Sequence, residues 1–192
     1  MTKTTPTITY SPLTAKHFAE VIRLANLVHG EGYLDKEKLI LWTEKGTVDD
    51  INCSFVALID NKVIGFRSTF SAQKWHIDQW CSPDLWQINR DKCCYFKCNT
   101  VDENYRGLGI GKTLLTLAIE AAKQQGAQAG ISHLWKQSPN NSAVSYFSKC
   151  GGAHIKSHPG KWHEESTQGY DCILCGHDCH CEAAEMIIYF NK

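Results

Sequence analysis

The sequence predicts one α/β domain of 192 residues built on a mixed sheet. Three observations predict it. Strand and helix patterns follow one another as strand, two helices, strand hairpin, strand, helix, strand, helix and strand hairpin. A glycine-rich turn, Arg106-Gly-Leu-Gly-Ile-Gly111, joins an apolar β-branched run to a helix of about four turns. No internal repeat or low-complexity linker divides the chain.

Residues 7–10 read as a first strand. Thr14 is placed to cap a helix reaching Val28, whose Phe18, Val21, Ile22, Ala25 and Val28 share one face. The polar link Gly30-Glu31-Gly32-Tyr33 leads to Asp35, which caps a helix over 36–45 closed by Gly46. Residues 54–60 and 63–71 make a hairpin around Asp60-Asn61-Lys62. Residues 74–90 carry Trp75, Trp80 and Trp86 with little periodicity; they either line a pocket or pack as a satellite cluster under a long loop.

Residues 91–101 form the next strand, and 108–125 a helix with Leu114, Leu115, Leu117, Ala118, Ala121 and Ala122 at its apolar positions. Residues 127–135 follow as a strand. Ser138-Pro139-Asn140 then leads into a helix ending near Lys149. A strand starts at 153–156, and a polar segment rich in Cys and His spans 157–182. A last strand over 184–191 can pair back with 153–156. The whole of 1–192 thus reads as one unit with an elaborated hairpin at its C-terminal end.

Twenty basic residues balance twenty acidic ones. That balance gives no electrostatic footprint for nucleic acid or an acidic membrane. The opening stretch MTKTTPTITYSPLT lacks the apolar core of a signal peptide, and no apolar run approaches the ~18 residues of a membrane helix. Ten cysteines without an export signal read as reduced thiols or metal ligands, which points to the cytoplasm.

A strand feeding a glycine turn at a helix start is an anion site: bare N–H groups face outward at the positive end of the helix dipole. Lys112 and Thr113 add a cation and a hydroxyl. The run Val101-(three residues)-Tyr105-Arg106-Gly107-Leu108-Gly109-Ile110-Gly111 resembles the acetyl-coenzyme A signature of the Gcn5-related N-acetyltransferases (GNAT), Gln/Arg-x-x-Gly-x-Gly/Ala. Thirty-four residues beyond Arg106, Asn140-x-x-Ala143-Val144-x-x-Phe147-x-Lys149-x-Gly151 resembles the family's second signature. The element order over 7–156 is similar as well, while 157–182 lies outside the common pattern.

The resemblance implies an α+β fold with a mixed, mostly antiparallel sheet flanked by helices on both faces. It implies that Asn99, Thr100 and Val101 would hydrogen-bond the pantetheine arm through the backbone. The N–H groups from Arg106 through Gly107, Leu108, Gly109, Ile110 and Gly111 to Lys112 would hold the pyrophosphate. Asn140 would contact the cofactor arm or only cap its helix, with Ala143 and Phe147 packing beside the cofactor. A homodimer is common among proteins that resemble this one.

Acetyl transfer to an amine needs the thioester positioned, its carbonyl polarised, the amine neutral and the thiolate protonated. Positioning supplies about 7–11 kcal/mol and one good oxyanion donor about 3–4 kcal/mol. The proton steps need an acid and a base. Here the chain departs from its relatives. The family's usual acidic Tyr is Phe147, and neighbouring Tyr146 would serve only if the helix were turned by about 100°. The position of a base carboxylate carried by some members is Tyr95, which either packs on the sheet or moves a proton; otherwise the base is Glu31, Asp78 or a water chain, or the mechanism relies on positioning. Cys98, beside the expected thioester, is either a buried structural thiol or an acyl carrier. His133 reads as a hydrogen-bonded structural histidine.

Cys172-x2-Cys175-Gly-His-Asp-Cys179-His180-Cys181 places four thiols and two imidazoles in ten residues. The first choice of zinc ligands is Cys172, Cys175, Cys179 and Cys181 in a closed, structural site. His177 or His180 would replace one if Cys179 and Cys181 projected to opposite faces of a strand. Reduced thiols in a loop, or a redox pair at Cys172 and Cys175, are the alternatives.

The sequence is therefore read as an acetyl-CoA-dependent N-acetyltransferase that transfers directly to a primary amine on a small molecule or peptide. The competing reading is a coenzyme A-binding or degenerate domain acting as a sensor or interaction module through its Cys-rich tip.

Overall fold

The computed structural model describes residues 7–190. Strand β1 (Thr9–Pro12) comes two residues later than expected. Thr14 opens a single 3-10 turn at Ala15–His17 before helix α1 (Phe18–His29). Helix α2 (Lys36–Lys45) starts where Asp35 accepts a hydrogen bond from the Lys38 N–H at 2.7 Å and stops at Gly46, as its capping residues predict. A two-residue ladder, β2 (Thr47–Val48) with β3 (Ile51–Asn52), was not legible in the sequence. Strands β4 (Phe55–Ile59) and β5 (Lys62–Phe70) form the expected hairpin.

Strand β6 (Cys93–Val101) leads through the glycine turn to helix α3 (Ile110–Gln124). Then come β7 (Ala129–Trp135), α4 (Ser142–Lys149), β8 (Ala153–Pro159), a short helix α5 (His163–Thr167) and β9 (Glu182–Tyr189). Strand β8 pairs with β9 along its length, so the C-terminal hairpin is longer than expected, from Ala153↔Ile187 to Pro159↔Glu182. The end of the last expected strand, Asn191, lies outside the described residues.

One seven-stranded sheet runs in the order β1-β4-β5-β6-β7-β9-β8. Among the described residues its only parallel neighbours are β6 and β7, so it is mixed and mostly antiparallel. Helices cover both faces. Val21, Leu24 and Ala25 of α1 and Leu39 and Trp42 of α2 pack on Val56, Phe66 and Phe70. On the other face Leu115, Ala118, Ala121 and Ala122 of α3 and Phe147 of α4 pack on Phe96, Ala184 and Met186. Each fully buried leucine or phenylalanine contributes about 1.5–3 kcal/mol, which is what holds these amphipathic helices down. Among the described residues, no helix is long and apolar enough to cross a membrane.

Two irregularities position everything that follows. Strand β6 pairs with β7 only at Cys93↔Ala129, Cys94↔Gly130 and Tyr95↔Ile131, after which the two strands part. In the same place, β5 partners step from Cys98 (with Ser68) to Phe96 (with Thr69), so Lys97 is the extra residue of a β-bulge.

Candidate active site

The parting of β6 and β7 opens a cleft of about 470 Å³. Past Tyr95, the edge of β6 that faces β7 has no strand partner, so a row of backbone groups is offered to a ligand. At the end of that row Gly107 (φ 81°) and Gly109 (φ 77°) adopt the left-handed conformation that admits glycine most readily, and Gly109 caps α3. Arg106 and Lys112 flank the turn, and Arg106 donates from Nε to the Val101 carbonyl at 3.2 Å. The buried Oδ1 of Asn99 has no hydrogen-bond partner among the described residues, although Asn99 borders the cleft. An extended unpaired edge, a helix-start anion site and an orphaned acceptor together suit a long ligand with an amide-bearing arm and a phosphate end.

Of the expected cofactor residues, Asn99, Thr100, Val101, Arg106, Gly107, Gly109, Ile110, Gly111, Lys112 and Ala143 border this cleft. Four do not. Leu108 points to solvent with 61 % exposure. The Thr113 hydroxyl is turned to the Gly109 carbonyl at 3.3 Å. Asn140 lies in an adjoining depression with Lys112, Ser142 and Lys149. Phe147 is fully buried, edge-on to Phe96. Asn140 does not cap α4 either: the Ala143 N–H donates to the Ser138 hydroxyl instead.

The burial of Phe147 turns the preceding residue toward the cleft. Tyr146 borders it, donating its hydroxyl hydrogen to the Gly111 carbonyl at 2.8 Å and accepting from Arg67 Nη2 at 2.9 Å. Burial raises its phenol pKa, against the Arg67 charge. Tyr95 also borders the cleft. Its hydroxyl is 2.9 Å from His133 Nδ1, whose other ring nitrogen faces the Trp80 carbonyl, so Tyr95 donates and His133 carries its proton on Nε2. Burial raises the Tyr95 phenol and lowers His133 to about 4. Glu31 is exposed in the α1–α2 link, off the cleft, with its carbonyl accepting from the Asp171 N–H. Trp75, Trp80 and Trp86 do not line the cleft; Trp86 is fully buried beneath their loop and Trp75 stacks on Tyr95 at 4.8 Å.

Around β6 the cleft also holds His29, Lys97, Trp162 and Tyr170, which the sequence did not single out, together with Tyr33 and tip cysteines, which it did. His29, at the last turn of α1, puts Nε2 2.8 Å from the Thr100 hydroxyl and 3.7 Å from Cys98 Sγ. Burial, then Lys97 and Arg106, lower its pKa to about 4, so the imidazole is neutral at pH 7. Tyr33 packs on it with ring centroids 4.4 Å apart. Lys97, at the bulge, is lowered to about 8 by burial and then by Lys161. Trp162, Tyr170 and three cysteines of the tip border the cleft too. One signal for His29 was present: four residues beyond Ala25, it continues the core-facing stripe of α1.

The tip brings Cys172, Cys175, Cys179 and Cys181 together, with all four sulfurs within 4.8 Å of one another. Cys172 and Cys181 sulfurs are 3.9 Å apart, and Cys175 and Cys181 sulfurs 3.7 Å. A tetrahedral zinc with Zn–S bonds near 2.3 Å spaces its sulfurs by about 3.8 Å. The donor set therefore fits that ion. Cys179 and Cys181 converge because they precede β9 rather than lie in it, and a bridge from Cys172 to Gly176 folds the knuckle. Burial disfavours the Cys172 thiolate, yet the N–H groups of Leu174 and Cys175 aimed at it outweigh burial and lower its pKa. All ten cysteines are free thiols.

A family model described as the acetyltransferase (GNAT) family matches residues 18–152. Against curated protein sequences there is no match. The fold is similar to an N-acetyltransferase from Staphylococcus aureus Mu50 (TM-score 0.68, 15 % identity, covering 96 % of this chain and 99 % of that one). It is similar also to the ribosomal-protein-S18-alanine N-acetyltransferase of Escherichia coli (TM-score 0.67, 12 % identity, 97 % and 96 %). A third likeness is to YncA of Salmonella typhimurium, a structure with its cofactor acetyl-CoA (TM-score 0.68, 14 % identity, 96 % and 95 %).

Proposed function

The chain belongs to the acetyltransferase (GNAT) family, and from that premise we propose that it transfers the acetyl group of acetyl-CoA directly to a primary amine. The observation that carries this reading is the meeting of two half-sites in one cleft. The unpaired β6 edge runs from the glycine turn to Cys98 and Thr100, and there His29 faces it from α1.

In this reading Asn99 to Val101 hold the pantetheine arm, and the turn from Arg106 to Lys112 holds the pyrophosphate, with Asn140 reaching the cofactor from the adjoining depression. The bulge at Lys97 releases a backbone N–H for the thioester oxygen, a donor worth about 3–4 kcal/mol as charge develops. His29, neutral and beside Thr100, takes the proton of the attacking amine, directly or through the Thr100 hydroxyl. Tyr146, its hydroxyl between Arg67 and the start of α3, returns a proton to the departing thiolate. Tyr95, held by His133, orients the acceptor. Zinc on Cys172, Cys175, Cys179 and Cys181 staples the tip, a segment too polar to bury a core of its own. Ten cysteines, none of them in a disulfide, suit a reducing, cytoplasmic setting, and the whole chain acts as one unit.

A second reading is that the chain binds coenzyme A and signals through the tip without turnover. The commitment of the Tyr146 hydroxyl to Gly111 favours it. An amine panel read by release of free thiol separates the two. Steady release above hydrolysis, lowered by roughly 10²–10⁴ in His29→Gln at unchanged coenzyme A affinity, supports catalysis. Coenzyme A binding without turnover across the panel overturns it.

A further inference from the structure

Besides the four cysteines, the described residues bring together two other groups of metal-type ligands. In the first, His133, His158 and Glu185, the acceptors are already taken. Both His133 nitrogens are engaged by Tyr95 and Trp80. Glu185 accepts from the Ser82 N–H, the Trp86 indole and His158 at 2.7–2.9 Å. This is a closed hydrogen-bond network under the loop, and a cation would have to break it.

The second group is open. His163, Asp178 and His180 are 51 %, 70 % and 74 % exposed. His163 Nδ1 lies 3.2 Å from Asp178 Oδ1, and His180 Nε2 lies 3.1 Å from Asp178 Oδ2. The two imidazoles stack, with centroids 5.7 Å apart and planes at 24°. Metal–N and metal–O bonds near 2.1 Å give ligand-to-ligand edges of about 3.0–3.4 Å for octahedral to tetrahedral geometry. The two His–Asp separations, one to each oxygen of Asp178, fall in that range, and the three ligand atoms all lie within 4.8 Å of one another. The two segments that carry these ligands are also tied together. Buried Ser166 donates its hydroxyl to the His163 carbonyl at 2.8 Å and accepts the Cys179 N–H at 2.9 Å. Cys179 sits between Asp178 and His180, so the ligands are held at both ends.

We propose that His163, Asp178 and His180 form a second metal site on the outer face of the tip. It takes a divalent transition ion such as zinc through two imidazole nitrogens and one carboxylate. Three protein ligands leave a position open to water, unlike the closed set of four thiols. The proposal leans on the four-cysteine reading in one respect, since that centre fixes Cys179 between two of the ligands.

The test uses the full chain equilibrated with zinc buffered at micromolar free concentration, with zinc counted per chain and reactive thiols titrated in parallel. The expected result is two zinc ions per chain in the wild type and one in the His163→Ala/His180→Ala variant, with the same thiols protected in both. Asp178→Asn, which keeps shape and removes charge, should weaken the second ion at unchanged circular dichroism. Equal zinc content in wild type and double variant overturns the proposal. Thiols protected in both would then show that the four-cysteine centre stands without it.

Discussion

Tyr170 donates its hydroxyl hydrogen to the carbonyl oxygen of His29 across 2.8 Å. The bond joins two segments 141 residues apart: the cysteine-rich tip and the last turn of α1. It is not alone. The Asp171 N–H donates to the Glu31 carbonyl, and a Cβ at Gly30 (φ 116°) would lie 1.8 Å from the Asp171 oxygen, so the two backbones touch. Tyr33 meets Tyr170 edge-on at 5.8 Å. The tip therefore braces the end of α1 and the link after it, which bring His29 and Tyr33 to the cleft, while the proposed coenzyme half rests on β6 and α3.

Removing that brace should act on one substrate only. Tyr170→Phe keeps the ring and loses one hydrogen bond of roughly 1 kcal/mol. The acceptor KM should rise about fivefold, while coenzyme A affinity by calorimetry stays within error. A matching loss of coenzyme A binding would show that the tip is not confined to the acceptor side.

Metal removal should extend the same effect. A strong chelator, or Cys175→Ser at the most exposed of the four cysteines, should free the cluster's thiols to a thiol reagent. The melting temperature should fall by more than about 10 °C, since 1 kcal/mol corresponds to about 2–4 °C at this size. Acceptor turnover should fail before coenzyme A binding does. Unchanged melting and thiol counts after chelation would remove the metal from the account.

The coenzyme half is tested at Gly109. Its φ of 77° and its place at the start of α3 make Val there costly, because a β-branched side chain resists the left-handed region. Gly109→Val should weaken coenzyme A at least tenfold by calorimetry with the melting temperature lowered by only a few degrees. Unchanged affinity would sink the assignment of the turn.

What the sequence made legible was local. The glycine pattern, the caps at Asp35 and Gly46, the stripe of α3 and the four clustered cysteines each announce themselves within one element. What it hid came from pairing between elements. The parting of β6 from β7 after Tyr95 decides where the cleft opens, and the bulge at Lys97 depends on register with β5. No local pattern encodes either. Phe147 and Tyr146 show the limit most sharply. The second signature located the helix, but its rotation follows from Phe147 fitting against Phe96 in the core, which sends Tyr146 to the cleft. His29 lay unrecognised at the end of a stripe read as purely apolar.

Lys97 offers a test in which pH supplies the sign. Its ammonium lies 5.3 Å from the centre of the Trp42 ring, and burial, then Lys161, lower its pKa from 10.5 to about 8. The folded value is below the unfolded one, so between pH 8 and 10.5 the unfolded chain holds the proton more tightly and stability rises with pH. Below pH 8 the full cost of the buried charge is present, at most about 3 kcal/mol at 1.36 kcal/mol per pH unit. Lys97→Met removes that cost and also the contact with Trp42, worth about 0.5–1 kcal/mol. The variant should be about 1–2 kcal/mol more stable than wild type at pH 7 by urea denaturation, with the advantage shrinking toward pH 10.5. A difference independent of pH would place the Lys97 ammonium in water rather than against the indole.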